Sequence, residues 1–295
     1  MNNTFNIKRF GLVLRKDMLE NWKQYTYLFL MMFGIIAIVL LWSSWNWNYY
    51  INIKAYAVNS DDLNLELLLL SSLMFAIFGI LFASTLMNPM NDKTKRIAHL
   101  TCPASDFEKS FSRWVIVTAG YIVSFFASLW IVDALRVGIC TAAGYPGMEV
   151  NFLDLSKLIY TGDASGANRY DSRHYFFDST YTFAVVLSLY FLVQSIFILG
   201  STFWEKAAFV KTFCMATVIC LVFIFTCRWA ILLSYNNFGA FQNVLESIFL
   251  AAISENKISR ELAFAVMVSV ILVFTLTNWT LTFCRFHEAE IIKRL

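Results

Sequence analysis

Six long apolar runs organise this chain. They extend from about Tyr27 to Trp45, Leu67 to Met87, Val115 to Ile139, Thr182 to Phe203, Thr212 to Leu233 and Leu262 to Phe283. A helix needs about 20 mostly apolar residues to cross the roughly 30 Å hydrocarbon core of a bilayer, and each run supplies that length. The runs are continuous, whereas a membrane barrel strand alternates over about 10 residues, so the pattern predicts six spanning helices. Before the first run, residues 5–25 read FNIKRFGLVLRKDMLENWKQY. Phe5, Leu12, Met18, Leu19, Trp22 and Tyr25 recur among basic residues at roughly helical spacing, which suits an amphipathic helix lying in the membrane interface.

Composition narrows the class. Of 295 residues, 59% are hydrophobic and 15% charged, against about 25% charged in a soluble domain. With 29 Phe, 13 Tyr and 9 Trp, the apolar surface exceeds what a soluble fold can cover, and disordered and disulfide-framework classes are excluded as well. The six cysteines (Cys102, Cys140, Cys214, Cys220, Cys227 and Cys284) form no C-x-x-C. The expected fold is an all-α integral membrane protein of one transmembrane domain over residues 1–295. Its longest stretch between spans, about 140–181, is too short for a second domain.

The placement of charge orients it. Fifteen Lys and Arg fall in the N-terminal segment, in the loops after spans two and four and in the tail, against six in the remaining loops. The positive-inside rule then puts both termini in the cytoplasm, leaving 140–181 and 234–261 as outer loops. Trp42, Trp45, Trp47, Tyr49 and Tyr50 suit an outer aromatic belt, and Trp22, Trp114 and Trp204 suit inner edges. The first apolar run starts too late and is too long for a cleavable signal, so it reads as a retained anchor. The basic residues form no aromatic-interleaved patch for nucleic acid.

The inner loop 88–114, NPMNDKTKRIAHLTCPASDFEKSFSRW, is the most informative stretch. Pro89 ends span two. Ser105 and Glu108 form an S-x-x-E capping box, so a helix starts at Asp106, and Pro103 keeps any earlier helix from running into it. The new helix carries Phe107, Phe111 and Trp114 with Lys109 and Arg113 between them. It is either a plain capped entry to span three or an element that passes motion into it.

The segment CPASDFEKSFSRW, followed by a span ending WIVDALRVGI, resembles permease subunits of ATP-binding-cassette transporters, and among them the exporter-like type-two family of bacteria. That family has a P-A-S/T-x-x-E-K stretch before its third span, and Pro103, Ala104, Ser105, Glu108 and Lys109 stand at those positions. The WEKAAFVKT linker (Trp204 to Thr212) and the RFHEAEIIKRL tail (Arg285 to Leu295) fit the same pattern. The resemblance implies a multi-pass subunit of the bacterial inner membrane that lines a transport path with a second permease subunit, identical or homologous. Separate cytoplasmic ATPase subunits would drive it. A coupling helix would then fall on Pro103, Ala104, Ser105, Asp106, Phe107, Glu108, Lys109, Phe111 and Arg113. The chain has no Gly-Lys dipeptide and so no phosphate-binding loop; ATP and Mg are expected in the partner chain, with no cofactor bound here and no enzymatic activity of its own.

A few polar residues lie within the spans. Asp133 and Arg136, three apart near the outer end of span three, share one helix face, and Arg228 in span five can pair with Asp133. Charges at bilayer depth cost at least about 2.5 kcal/mol, so they pair or face the bundle interior. The group is an outer gate or substrate contact, or a local ion pair with Arg snorkelling to the interface. Gln194 and Asn278 line a path or bond across helices. Phe241, Val244, Leu245, Ile248 and Phe249 repeat at helical spacing on an outer helix of about ten apolar residues, too short to cross. Asp163, Asp171, His174 and Asp178 match no metal motif, and neither H-E-x-x-H nor G-x-S-x-G occurs. Two alternatives to the exporter permease stay open: a non-transporting assembly or signalling subunit, and an ion-driven secondary transporter.

Overall fold

A computed structural model of the chain describes residues 5–54, 60–87, 97, 102–144, 152–159, 176–177, 180–204, 207–234 and 260–292. Asn21 divides the first helical stretch into two. It is buried, sits in a turn, and bonds back to the Asp17 carbonyl through its backbone N–H (3.3 Å) and its side-chain amide (3.2 Å). The result is a short helix α1 (Ile7–Glu20), capped by Asn6, and a separate helix α2 (Trp22–Lys54). Trp22 and Tyr25 therefore belong to the first long helix, and the amphipathic segment is shorter than 5–25. At 33 residues α2 is about 50 Å long, well beyond the hydrocarbon thickness.

Helix α3 (Ser60–Ala83) ends four residues before the expected Met87. Ser84 and Thr85 turn their hydroxyls back onto the carbonyls of Leu81 and Phe82, which loosens the last turn into i−3 bonding. Pro89 lies outside the described residues. Helix α4 (Asp106–Val115) starts where the capping box requires. It continues without a break through a π-turn, Ile116–Gly120, into α5 (Tyr121–Ala142). After a short 3-10 turn, Leu155–Leu158, the described residues hold three further α-helices, α6 (Thr180–Phe203), α7 (Ala208–Ser234) and α8 (Arg260–Ile292). Six helices are long and apolar enough to cross a membrane, and the described residues contain no strand, only one isolated bridge between Ile159 and Phe177. The chain is an all-helical, multi-pass membrane protein.

Two apolar clusters hold the bundle together. Met32, Ile36 and Leu40 of α2 meet Leu67, Phe78 and Phe82 of α3 and Tyr121, Phe125 and Leu129 of α5. The second joins Ala83, Leu86 and Met87 to Val117, to Phe197 and Ile198 of α6, and to Phe286 of α8. Close approaches set the spacing. A Cβ on Gly79 would collide with the Tyr190 ring of α6, and one on Gly200 with Thr212 of α7. Beyond that contact α7 is nearly bare: Phe213, Val218, Leu221, Val222, Phe223 and Phe225 are all exposed. With lipid around it, such a surface is in its natural solvent.

Candidate functional site

The capped helix α4 is the centre of one end of the bundle. Ser105 accepts from the Glu108 N–H (3.3 Å), and Glu108 Oε2 accepts from the Ser105 N–H (3.1 Å), the two halves of a capping box. The same carboxylate then reaches across to α1. Glu108 Oε1 accepts from the Asn6 N–H (2.8 Å) and from Arg9 Nη2 (2.8 Å), and Oε2 from Arg9 Nε (2.6 Å). Glu108 is 0% exposed, so four donors converge on a buried carboxylate in a bidentate arginine geometry. This group precedes the apolar stretch of α4–α5. The Arg9 hydrogen bonds lower its pKa to about 2, against the opposing effect of burial. A second tie runs from the Ser112 hydroxyl to the buried Asp17 carboxylate (2.7 Å).

The inward-facing charges leave the outer face of α4 aromatic. Glu108, Lys109 and Arg113 are all buried. Lys109 lies 3.8 Å from Asp106, and the Arg113 guanidinium sits over the Phe286 ring at 5.7 Å. Phe107 stacks on Phe111, Phe111 on Trp114, and Trp114 meets Trp279 of α8 edge-on at 5.0 Å. Phe107 also meets Phe283 edge-on, and one turn further the ring of His287 lies 2.9 Å from the Asp106 carboxylate. Between α4 and α8 lies a groove of 390 Å³, walled by Phe111, Trp114, Ile198, Trp279 and Phe283. The tip of α4 keeps Pro103 and Phe107 exposed and Asp106 partly so. The π-turn behind it is a known mark of functional helices, and here Thr118 back-bonds to the Trp114 carbonyl (2.7 Å) just inside it.

The other end of the bundle holds the charged pair. Arg136 Nη2 lies 2.7 Å and Nε 2.8 Å from Asp133 Oδ1, and Asp133 Oδ2 accepts from the Leu153 N–H (2.8 Å). The Asp133 carboxylate is thus taken up by its own helix and the following loop, and it forms no pair with Arg228, which is exposed on α7. The loop is held a second time by Asn64, whose amide accepts from the Asp154 N–H (3.0 Å) and donates to its carbonyl (3.4 Å). Nearby, Ser43 of α2 donates to Glu66 of α3 (2.9 Å). Within the bundle Asn278 donates to the Ser195 hydroxyl (2.9 Å), a bond between α8 and α6, and Gln194 is buried. Phe241, Val244, Leu245, Ile248 and Phe249, and Asp163, Asp171, His174 and Asp178, lie outside the described residues. Among the described residues no group of His, Cys, Asp or Glu is arranged to hold a metal.

The structure thus gathers Ser105, Asp106, Phe107, Glu108, Lys109, Phe111 and Arg113 into one element, with Pro103 and Ala104 just ahead of its N-cap. It separates them from Asp133 and Arg136 by the π-turn and the first half of α5. Sequence reasoning did not find Asn6, Arg9 and Asp17, which carry the α1 side of the junction. Arg9 is 99 residues from Glu108, and no local spacing connects them. Comparison with protein-family models, with curated proteins and with solved structures finds no match.

Proposed function

We propose that this chain is the membrane-spanning permease subunit of an ATP-driven exporter of the ATP-binding-cassette class, in a bacterial inner membrane with both termini cytoplasmic. One observation carries the reading: a capped helix that is fixed to α1 through its first turn and continuous at its far end with a long apolar helix. Such a unit moves as a lever. The tip of α4, with Pro103, Asp106 and Phe107, would seat in a cytoplasmic ATPase subunit. Clamping of two ATPases around ATP would tilt α4, and the π-turn and α5 would carry the motion into the path between two permease subunits. Glu108 acts here as a positioning residue that sets the angle of α4 on α1, which would lie in the inner interface. The resemblance of the 102–114 segment to such permeases supports the same reading.

The test is a mild-detergent pull-down of the full chain from native membranes, with mass spectrometry and an ATPase assay on the eluate. A stoichiometric ATPase subunit is the expected result. Phe107→Ala should weaken its retention, while Glu108→Gln should keep the partner and lower the coupling of ATP hydrolysis to transport. A preparation free of any ATPase, repeated in nanodiscs, overturns the proposal in favour of a non-transporting assembly or signalling subunit.

A further inference from the structure

We propose that the groove between α4 and α8 is a binding site for one hydrocarbon chain of a membrane phospholipid. Its 390 Å³ falls in the range of about 300–1,000 Å³ typical of small-molecule sites. Its walls carry no charged side chain; besides the buried indole N–H groups of Trp114 and Trp279, their polar side chains are the hydroxyls of Ser110, Thr280 and Thr282. Two of these are already committed: Thr280 donates to the Thr277 carbonyl and Thr282 to the Asn278 carbonyl, each at 2.8 Å. A polar ligand would lose its hydration there for little return, and a water would find few partners.

The groove opens sideways. Its rim residues Phe107, Leu276 and Thr280 are exposed. Leu272 and Val273, one turn earlier on the same face of α8, are exposed as well, so the groove runs on into apolar surface of a spanning helix. A lipid chain lying along α8 can enter without leaving the bilayer.

The other end of the groove turns polar on both walls at one level. On α4, Phe107 gives way to Asp106. On α8, one turn beyond Phe283, comes His287, and the two meet at 2.9 Å. Hydrocarbon chemistry thus passes to polar, hydrogen-bonding chemistry over a single turn, as it does at the base of a phospholipid headgroup. A polar mouth on an apolar trough that runs on into the exposed flank of a spanning helix favours an amphiphile of the bilayer over a peptide segment. Against fluid lipid the fixed rings of Phe111, Trp114 and Trp279 offer a closer and more lasting set of contacts. The site stands whether or not an ATPase docks on the α4 tip.

The experiment reconstitutes the full chain in phosphatidylethanolamine vesicles with rising fractions of a phospholipid that carries a diazirine in one acyl chain. After photolysis, peptides are mapped by mass spectrometry. Labelling of 106–115 and 272–284 should saturate at a low fraction of the probe, while labelling of the bare α7 face, 213–225, should rise in proportion to it. Ser110→Trp, which fills the groove, should remove at least half of the saturable labelling and leave the α7 slope unchanged. Should that variant not insert, Leu276→Trp blocks the rim instead, and the wild-type curve decides by itself. Proportional labelling at both places overturns the proposal. So does a dominant cross-link to a second polypeptide from benzoylphenylalanine placed at position 276, which would make the groove a seam between proteins.

Discussion

Glu108 and Asp133 are both acidic residues with almost no exposed surface, and both hold an arginine through its Nε and a terminal nitrogen. Their partners differ. Asp133 takes Arg136 from its own helix, three residues on, and spends its second oxygen on Leu153 in the loop that follows. Glu108 closes its own cap and then takes Arg9 from a helix 99 residues away. The first arrangement lets a single span carry two charges into the bundle and pins one loop. The second, together with the Ser112–Asp17 bond, joins two segments far apart in sequence. Burial of the arginines differs too. Arg136 is 1% exposed, while the Arg9 side chain is 30% exposed and keeps access to solvent.

That difference orders the expected effects of substitution. Asp133→Ala should be the most damaging, because it takes the carboxylate from a guanidinium that is shut in the bundle; a loss of about 3–5 kcal/mol is expected in detergent unfolding. Replacing both partners, as Asp133→Leu with Arg136→Met, should recover most of it, since a buried pair exchanged for apolar side chains of similar volume is often neutral. A double variant as unstable as the single would mean that the pair does more than neutralise itself. Glu108→Ala should cost less, about 2 kcal/mol, because Arg9 can rehydrate. Its signature is local: amide exchange should rise in α1 and stay low in α2, α3 and α5.

Ser105→Ala removes the cap and leaves the arginine bonds, and should cost about 1 kcal/mol. The smallest effect concerns pH. A carboxylate held at about 2 contributes stability that is complete above its unfolded value, about 4.3, and is lost as pH falls through the folded one. Protection of α1 should therefore be flat from pH 5 to 8 and fail only in acid below about pH 4. A loss near neutrality would show that the junction does not rest on the Glu108 carboxylate.

The spans were legible because hydropathy over twenty residues depends on nothing beyond the chain itself. The start of α4 was legible for a similar reason: a cap is a bond between residues three apart. The Asp133–Arg136 pair follows from helix geometry alone. What could not be read is what depends on a distant partner or on backbone register. The break at Asn21 comes from a polar residue finding a buried niche, and the π-turn at 116–120 leaves no composition behind it. The inward turn of Lys109 and Arg113 depends on Phe286 and on α1, neither of them near in sequence. The bareness of α7 is equally invisible, because an apolar run looks the same against lipid and against protein.

The junction of α1 with α4 has a consequence for how the molecule is made. A ribosome adds about 5–20 residues per second, so the 99 residues between Arg9 and Glu108 take roughly 5–20 s to synthesise. Over that interval two spans are delivered to the membrane while the first helix has no carboxylate to grip. Helix α1 is thus completed only when the first turn of α4 has been made, and one part of the chain is finished by another far downstream.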